Sequence, residues 1–115
     1  MPGYKTDRIA SDIQRELASI LPSIKDPRVS KLLSIVKVDV SSDLSLARVY
    51  ISSIEGTEAT LSSVKGLASA EGFIKRELSK RLKLRKMPEL KFIADDSIAH
   101  SAHIMDILNS LKDDQ

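Results

Sequence analysis

The chain has 115 residues, of which 42% are hydrophobic and 30% are charged. A chain of this length and hydrophobic content can bury one core without a disulfide or a metal. It has no cysteine, which excludes thiolate catalysis, disulfide bonds and cysteine-based zinc sites. Residues 75–91 hold eight cations and two anions while the rest of the chain is net −4, a distribution that favours a phosphate-rich partner.

A first helix is predicted from Lys5 to Leu21. One face of this segment carries the apolar residues Ile9, Ile13, Leu17, Ile20 and Leu21, and the other carries Arg8, Ser11, Asp12, Arg15 and Ser19. Pro22 and the following Lys25-Asp26-Pro27 indicate that the helix ends there and a loop begins.

Two strands joined by a tight turn are predicted next. Residues 35–40 alternate with Val36, Val38 and Val40 on one side, and residues 46–51 alternate with Ala47, Val49 and Ile51 on one side. The turn residues Ser41-Ser42-Asp43 separate the two runs. This pattern is typical of an antiparallel hairpin.

A helical pattern then extends from residue 57 to about Leu84. Thr57 is the expected N-cap, with Glu58 in the first turn. A break at residues 70–72, Ala70-Glu71-Gly72, would divide the run into two helices meeting at an angle. The alternative is that Gly72 only allows another element to pack closely.

A third strand is predicted at residues 90–94, followed by a last helix at residues 98–111. Asp95-Asp96-Ser97 supplies capping side chains for that helix. No repeat or linker divides the chain, so residues 1–115 are expected to form one domain. The predicted fold class is α+β, with a three-stranded sheet and helices packed on one of its faces.

The basic region coincides with the second half of the helical run. At about 100° per residue, Ile74, Leu78 and Leu82 define a buried side. The cations Arg76, Lys80 and Lys83 lie almost opposite, Lys75 and Lys86 flank them, and Arg85-Lys86 continues into the exit loop. Lys5, Arg8 and Arg15 of the first helix would extend this surface, diluted by Asp12 and Glu16. The pattern indicates contact with nucleic-acid phosphates, although an ordinary solvated helix face has a similar appearance.

Several segments, in order, resemble the bacterial ribosome-binding factor A family and its type II KH-like domain. The matching pieces are Lys25-Asp26-Pro27-Arg28, residues 38–45, residues 47–52, residues 72–78, Leu84-Arg85 and residues 88–92. The order helix–strand–strand–helix–helix–strand also matches. The chain has no Gly-x-x-Gly loop, and Ala70-Glu71-Gly72 stands where this family has an Ala-x-Gly interhelical kink.

The resemblance implies an assembly factor rather than an enzyme. It would bind 16S rRNA within free 30S subunits and pre-30S particles, assist late 30S maturation including processing of the 16S 5′ end, and support growth in the cold. An assembly GTPase is an implied partner for its release. The residues expected to bind RNA are Lys75, Arg76, Lys80, Lys83, Arg85 and Lys86, with Ala70, Glu71 and Gly72 forming the kink.

Other interpretations stay open at this point. His100, His103 and Asp106 are spaced for a metal site on the last helix, although solvated polar positions are the simpler explanation. Leu32, Leu33 and Ile35 could form an apolar edge for a protein partner, and the basic residues also suit a KH protein unrelated to the ribosome. No cofactor, small-molecule substrate or membrane partner is expected. We expect a cytoplasmic protein, because no apolar run is long enough to span a bilayer and no signal peptide is evident. A monomer is also expected.

Overall fold

The computed structural model describes residues 2–84 and 86–95, which form three α-helices and three strands. In chain order these are α1 (Pro2–Ile20), β1 (Leu33–Val40), β2 (Leu46–Ser53), α2 (Thr57–Ser69), α3 (Glu71–Arg81) and β3 (Glu89–Ala94), with a short 3-10 turn at Leu21–Ser23. This confirms the predicted order over that part of the chain. The helix predicted at residues 98–111 lies outside the described residues.

The three strands form one mixed sheet in the order β1-β2-β3. β1 and β2 pair antiparallel as a hairpin, whereas β2 and β3 pair parallel. A parallel pair needs a crossover connection, and α2 and α3 together supply it. The helices cover one face of the sheet, so the predicted α+β fold class is confirmed.

The core lies between that sheet face and the helices. On α1 the predicted apolar residues Ile9, Ile13, Leu17 and Ile20 are all buried, and on β2 the residues Ala47, Val49 and Ile51 are fully buried. Ile74 and Leu78 of α3 are equally inaccessible, and Leu90 and Phe92 of β3 complete the core. Period-3.6 and period-2 patterns therefore predicted the buried faces of these elements correctly.

One strand face was predicted wrongly. The pairing register of β1 shifts between Ile35 and Lys37, which makes Val36 the extra residue of a β-bulge. Val36 is consequently 41% exposed, while Val38 and Val40 beyond the bulge are buried. An extra residue reverses which side chains face the core, and it cannot be seen in the alternation alone.

The start of α2 also differs from the prediction. The N-cap is Gly56 rather than Thr57, and no side chain caps the helix. Gly56 has a φ of 118°, a conformation that favours glycine. Thr57 is instead the first helical residue, and Glu58 lies in the first turn as expected.

The helical run ends at Arg81 and not near Leu84. Leu82 has extended dihedral angles, and its N–H donates the last helical bond to Leu78 O at 2.7 Å. Leu82 is buried, Lys83 is exposed and Leu84 packs partly on the core, so the alternation here has period two. Burial of both leucines explains why the chain leaves the helix early.

Polar groups anchor α2 to the rest of the fold. Ser63 and Thr60 are buried on its inner face. Thr60 Oγ1 accepts from Ser53 N at 2.9 Å, and Ser63 Oγ accepts from Ser30 N at 2.8 Å. Both hydroxyls also donate to backbone carbonyls four residues earlier, so each buried hydroxyl both donates and accepts a hydrogen bond. These bonds fix α2 against β2 and against the loop before β1.

Candidate nucleic-acid interface

The predicted break between the two helices is present. α2 ends at Ser69, Ala70 adopts φ −92° and ψ 7°, and α3 begins at Glu71. The N–H of Ala70 closes α2, whereas its carbonyl accepts from Ile74 N at 2.9 Å in the first turn of α3. One residue therefore belongs to the hydrogen bonding of both helices. We call Ala70, Glu71 and Gly72 the kink.

The connecting loop, residues 24–29, holds the last turn of α2 next to the kink. Arg28 Nη2 donates to Asp26 Oδ2 at 2.7 Å and to Ser69 Oγ at 3.0 Å. The side-chain and backbone hydrogen bonds from Arg28 lower the pKa of Asp26 from 3.8 to about 2. The Lys25-Asp26-Pro27-Arg28 turn thus has a structural partner at the kink, which the sequence pattern did not identify.

Gly66 allows this loop to approach α2 closely. A Cβ at this position would lie 2.7 Å from Val29 Cγ2 and 3.3 Å from both Arg28 Cβ and Asp26 Cγ. Those separations are too short for an unperturbed side chain. Glycine is therefore required by packing at Gly66.

Gly72 has the opposite environment, because a Cβ there would meet nothing within 4 Å. The alternative explanation of Gly72 as a close-packing glycine is therefore wrong, and that role belongs to Gly66. Gly72 is exposed in the first turn of α3. Its backbone has open space in front of it, which an external partner can reach.

The outward face of α3 carries a cationic stripe, which we define as Arg76 and Lys80. Both side chains are exposed, and they lie four residues apart on the face opposite the buried Ile74 and Leu78. Lys80 Nζ lies 3.2 Å from Glu77 Oε2, an exposed pair that contributes little and is easily exchanged. Arg76 forms no ion pair with any residue in the described ranges.

Lys75 occupies a different position from the stripe. Its side chain is 28% exposed and its Nζ lies 3.0 Å from Glu89 Oε1 at the start of β3. The hydrogen bond from Lys75 lowers the pKa of Glu89. Lys75 thus connects α3 to β3, and Arg81 likewise connects α3 to α1 through Glu16 at 3.4 Å.

Two other predicted cations lie beyond α3. Lys83 is exposed in the extended segment after Leu82 rather than on the helix, and Lys86 is exposed just before β3. Neither forms an ion pair within residues 2–84 and 86–95. Arg85 lies outside the described residues. The structure therefore brings Arg76 and Lys80 together on one helix and adds Lys83 and Lys86 at its exit.

The cations of α1 contribute less free charge than their number suggests. Arg15 is exposed, but it lies 3.4 Å from Asp12 Oδ1 and 3.3 Å from Glu16 Oε1. Arg8 is exposed. The side chain of Lys5 lies outside the described part. Pairing of Arg15 with two carboxylates leaves Arg8 as the exposed cation of α1 without an ion pair among the described residues, as Arg76 is on α3.

One surface feature was missed by the sequence reasoning. Phe73 is 38% exposed although it is a large aromatic residue. It precedes Arg76 by three residues and Lys80 by seven, so it lies on the same side of α3 as the cationic stripe. A helical-wheel comparison of residue 73 with Ile74 and Leu78 would have revealed it.

Residues 2–84 and 86–95 contain no group of three potential metal ligands. The triad His100, His103 and Asp106 considered above lies outside the described residues. Within the described ranges, no helix has the length and apolar character required to cross a membrane.

Comparison with known proteins extends these observations. Residues 5–108 match the family model for ribosome-binding factor A. The chain is 43% identical over 106 residues to ribosome-binding factor A of Acetivibrio thermocellus, covering 91% of this chain and 86% of that protein.

A solved structure and a model fitted into an experimental map share the fold. The crystal structure of ribosome-binding factor A from Thermus thermophilus superposes with a TM-score of 0.69 at 27% identity, covering 77% of this chain and 93% of that one. A homology model of the Thermus thermophilus factor, fitted into a cryo-EM map of its 30S complex, gives a TM-score of 0.64 at 28% identity, covering 76% and 91%. The length of the family match and the level of identity to its members establish that the chain belongs to the ribosome-binding factor A family.

Proposed function

We propose that this protein binds the free 30S subunit and its precursors in the cytoplasm through contacts to 16S rRNA. The observation that carries the proposal is the exposed cationic stripe on α3, within the basic segment 75–91 of a chain whose other residues are net −4. Family membership and the 30S complex of the Thermus thermophilus relative support the choice of the small subunit as the partner.

The mechanism is stoichiometric binding rather than catalysis. Arg76 and Lys80, with Lys83, Arg85 and Lys86 at the helix exit, neutralise rRNA phosphates and release condensed counterions. The open backbone at Gly72 in the kink approaches the RNA closely. Lys75 has a secondary role in binding phosphates, because its ammonium group is already paired with the carboxylate of Glu89.

Such a protein changes an rRNA conformation only by binding one alternative more tightly than another. Preferential binding to an immature arrangement stabilises that arrangement while the 5′ end of 16S rRNA is processed. Rearrangement of rRNA is slower in the cold, so the need for the factor increases at low temperature. Release by an assembly GTPase completes the cycle.

Co-sedimentation with purified 30S, 50S and 70S particles over a salt series tests the proposal. We expect selective migration with free 30S subunits and a steep loss of affinity with salt. Equal binding to all three particles indicates a generic cationic RNA binder, and absence of binding at low salt contradicts an RNA partner altogether.

A cellular test addresses maturation separately. Depletion of the protein should cause 16S precursors with unprocessed 5′ ends to accumulate, with the larger effect below the normal growth temperature. Normal precursor levels in depleted cells, despite 30S binding in vitro, would limit the function to association with the subunit.

A further inference from the structure

An open groove separates the connecting loop from the kink. Its volume is about 690 Å³, and residues 23–28 line one side while Ala70 and Phe73 line the other. We call it the kink groove. It differs from the cationic stripe because its lining is predominantly apolar.

Phe73 gives one wall of the kink groove an aromatic surface. The ring is partly exposed, at the first turn of α3, where the helix begins to diverge from α2. Arg76 follows on the same face one turn later. A ligand with a flat apolar part and an adjacent anionic part matches this arrangement, because Phe73 and Arg76 lie one turn apart on the same side of α3.

The opposite wall reinforces that match. Ile24 and Pro27 present apolar surface, and Lys25 lies at the rim without an ion pair in the part of the chain that the structure describes. Arg28 is already engaged by Asp26 and Ser69, so it shapes the wall rather than supplying free charge. The groove is therefore a largely apolar cleft with Lys25 at its rim, and Arg76 lies outside its lining, one turn beyond Phe73 on α3.

We propose that the kink groove binds a single unstacked nucleobase of RNA, with its face against Phe73 and its flanking phosphates near Lys25 and Arg76. Unpaired bases commonly stack on aromatic side chains, and an apolar cleft flanked by cations suits a nucleotide better than it suits an apolar protein segment. The inference rests on the proposed function, which it deepens by naming the structural class of rRNA contacted: a single-stranded nucleotide rather than a duplex.

A set of matched variants tests this role in 30S binding. Phe73→Leu removes the aromatic face but keeps an apolar side chain, Phe73→Tyr keeps the face, and Leu61→Ala truncates another exposed apolar residue, on α2. We expect F73L to weaken 30S binding about tenfold, within the range for loss of one stacked base. F73Y and L61A should bind within about twofold of wild type. The salt dependence of F73L should remain that of wild type, because no charge is lost.

A second measurement separates an RNA base from a protein contact. A short oligouridine with one central 2-aminopurine should lose fluorescence when wild type binds at low salt, because the base stacks on the ring. F73L should still bind the oligonucleotide through its cations but produce much less quenching. Retained quenching in F73L would overturn the proposed stacking.

The outcomes discriminate between the two proposals. Failure of wild type to bind 30S subunits would overturn the proposed function and, with it, the ribosomal role of the groove. Normal 30S binding by F73L, or equal losses in F73L and F73Y, would overturn the base-stacking site while leaving 30S binding intact. Weaker 30S binding by F73L combined with no quenching by wild type would assign the groove to a ribosomal protein segment and contradict a nucleobase.

Discussion

The two sides of the kink use their surfaces differently. On the α2 side, Gly66 packs tightly against the connecting loop, and Ser69 accepts a hydrogen bond from Arg28. On the α3 side, Gly72 faces open space and Phe73 is partly exposed. The α2 side is used for contacts within the protein, whereas the α3 side leaves Gly72 and Phe73 accessible to a binding partner.

This difference indicates how a small domain presents a rigid binding surface. The loop contacts fix the end of α2, and the shared hydrogen bonding of Ala70 transmits that position to α3. The groups on α3 are then positioned without being occupied, so less conformational entropy is lost on binding. Substitutions on the α2 side should therefore affect stability first, and those on the outward α3 face should affect affinity first.

The largest expected effect is on affinity, from reversing charge at the C-terminal end of α3 and just beyond it. The double substitution Lys80→Glu and Lys83→Glu should weaken 30S binding on the order of 100-fold at low salt and reduce the salt dependence, because two phosphate contacts become repulsive. The midpoint of thermal unfolding should change little, since both side chains are exposed. Binding is measured by co-sedimentation across the salt series.

A matched double reversal on the sheet face that the described helices leave uncovered serves as the control for that experiment. Lys37→Glu with Lys91→Glu makes the same charge change on exposed residues of β1 and β3. It should reduce affinity by much less. Equal losses in the two double variants would indicate that only net charge matters, and the contrast between the α3 surface and other surfaces would fail.

The next effect is on stability, at Gly66. A Gly66→Ala Cβ would be forced to 2.7 Å from Val29 Cγ2, and overpacking of this kind costs about 1–3 kcal/mol. Better helix propensity offsets up to about 1 kcal/mol of that cost. We expect a net loss of about 1 kcal/mol in the free energy of unfolding, measured by urea titration. Unchanged stability would mean that the connecting loop moves freely and does not hold the kink.

Gly72→Ala should produce the reverse pattern with a smaller magnitude. The added Cβ meets no atom within 4 Å and improves helix propensity, so the free energy of unfolding should rise by up to about 1 kcal/mol. Affinity for 30S subunits should nevertheless fall several-fold if RNA approaches the backbone here. A stabilised variant with wild-type affinity would show that Gly72 is not part of the interface, and the proposed RNA contact would then rest on the cationic stripe.

The sequence was informative where local pattern decides structure. Regular apolar spacing predicted the buried faces of α1, β2 and α3, and Ala70-Glu71-Gly72 correctly marked the break between helices. The partners of individual side chains in other elements could not be predicted from these patterns. The partner of Lys75 is Glu89, fourteen residues away, and the partner of Ser69 is Arg28, forty-one residues away. Such contacts depend on tertiary placement, which periodicity does not encode.

Two local irregularities had the same origin. The bulge at Val36 and the early end of α3 before Leu82 both arise because the core accepts particular side chains from an extended segment. The helical apolar pattern of Ile74 and Leu78 continues past the true end of α3, since Leu82 fits either period. For the candidate site, this moved Lys83 from the helix face to the exit segment without burying it.

The smallest expected effect is the pH dependence of the contact that holds α2. Asp26 has a pKa of about 2 in the folded protein against an ordinary value of 3.8, so its carboxylate stabilises the fold above pH 4 and loses this contribution as pH falls toward 2. Asp26→Asn should therefore lower the melting temperature slightly at pH 7, and its difference from wild type should diminish as pH falls from 4 through 2. Thermal unfolding at pH 7, 4 and 2 measures this.

Asp43 provides a control, because its pKa is lowered to the same value but it lies in the β1–β2 turn, away from the kink. Hydrogen bonds from Ser45 and Ser41 in the β1–β2 turn also lower its pKa from 3.8 to about 2. Asp43→Asn should thus reproduce the pH dependence of stability without touching the kink. Only D26N should also weaken 30S binding at pH 7, by about twofold, because Arg28 then holds Ser69 less firmly. Equal affinities in the two variants would show that the position of the α2 end does not influence the surface on α3, and that the two sides of the kink act independently.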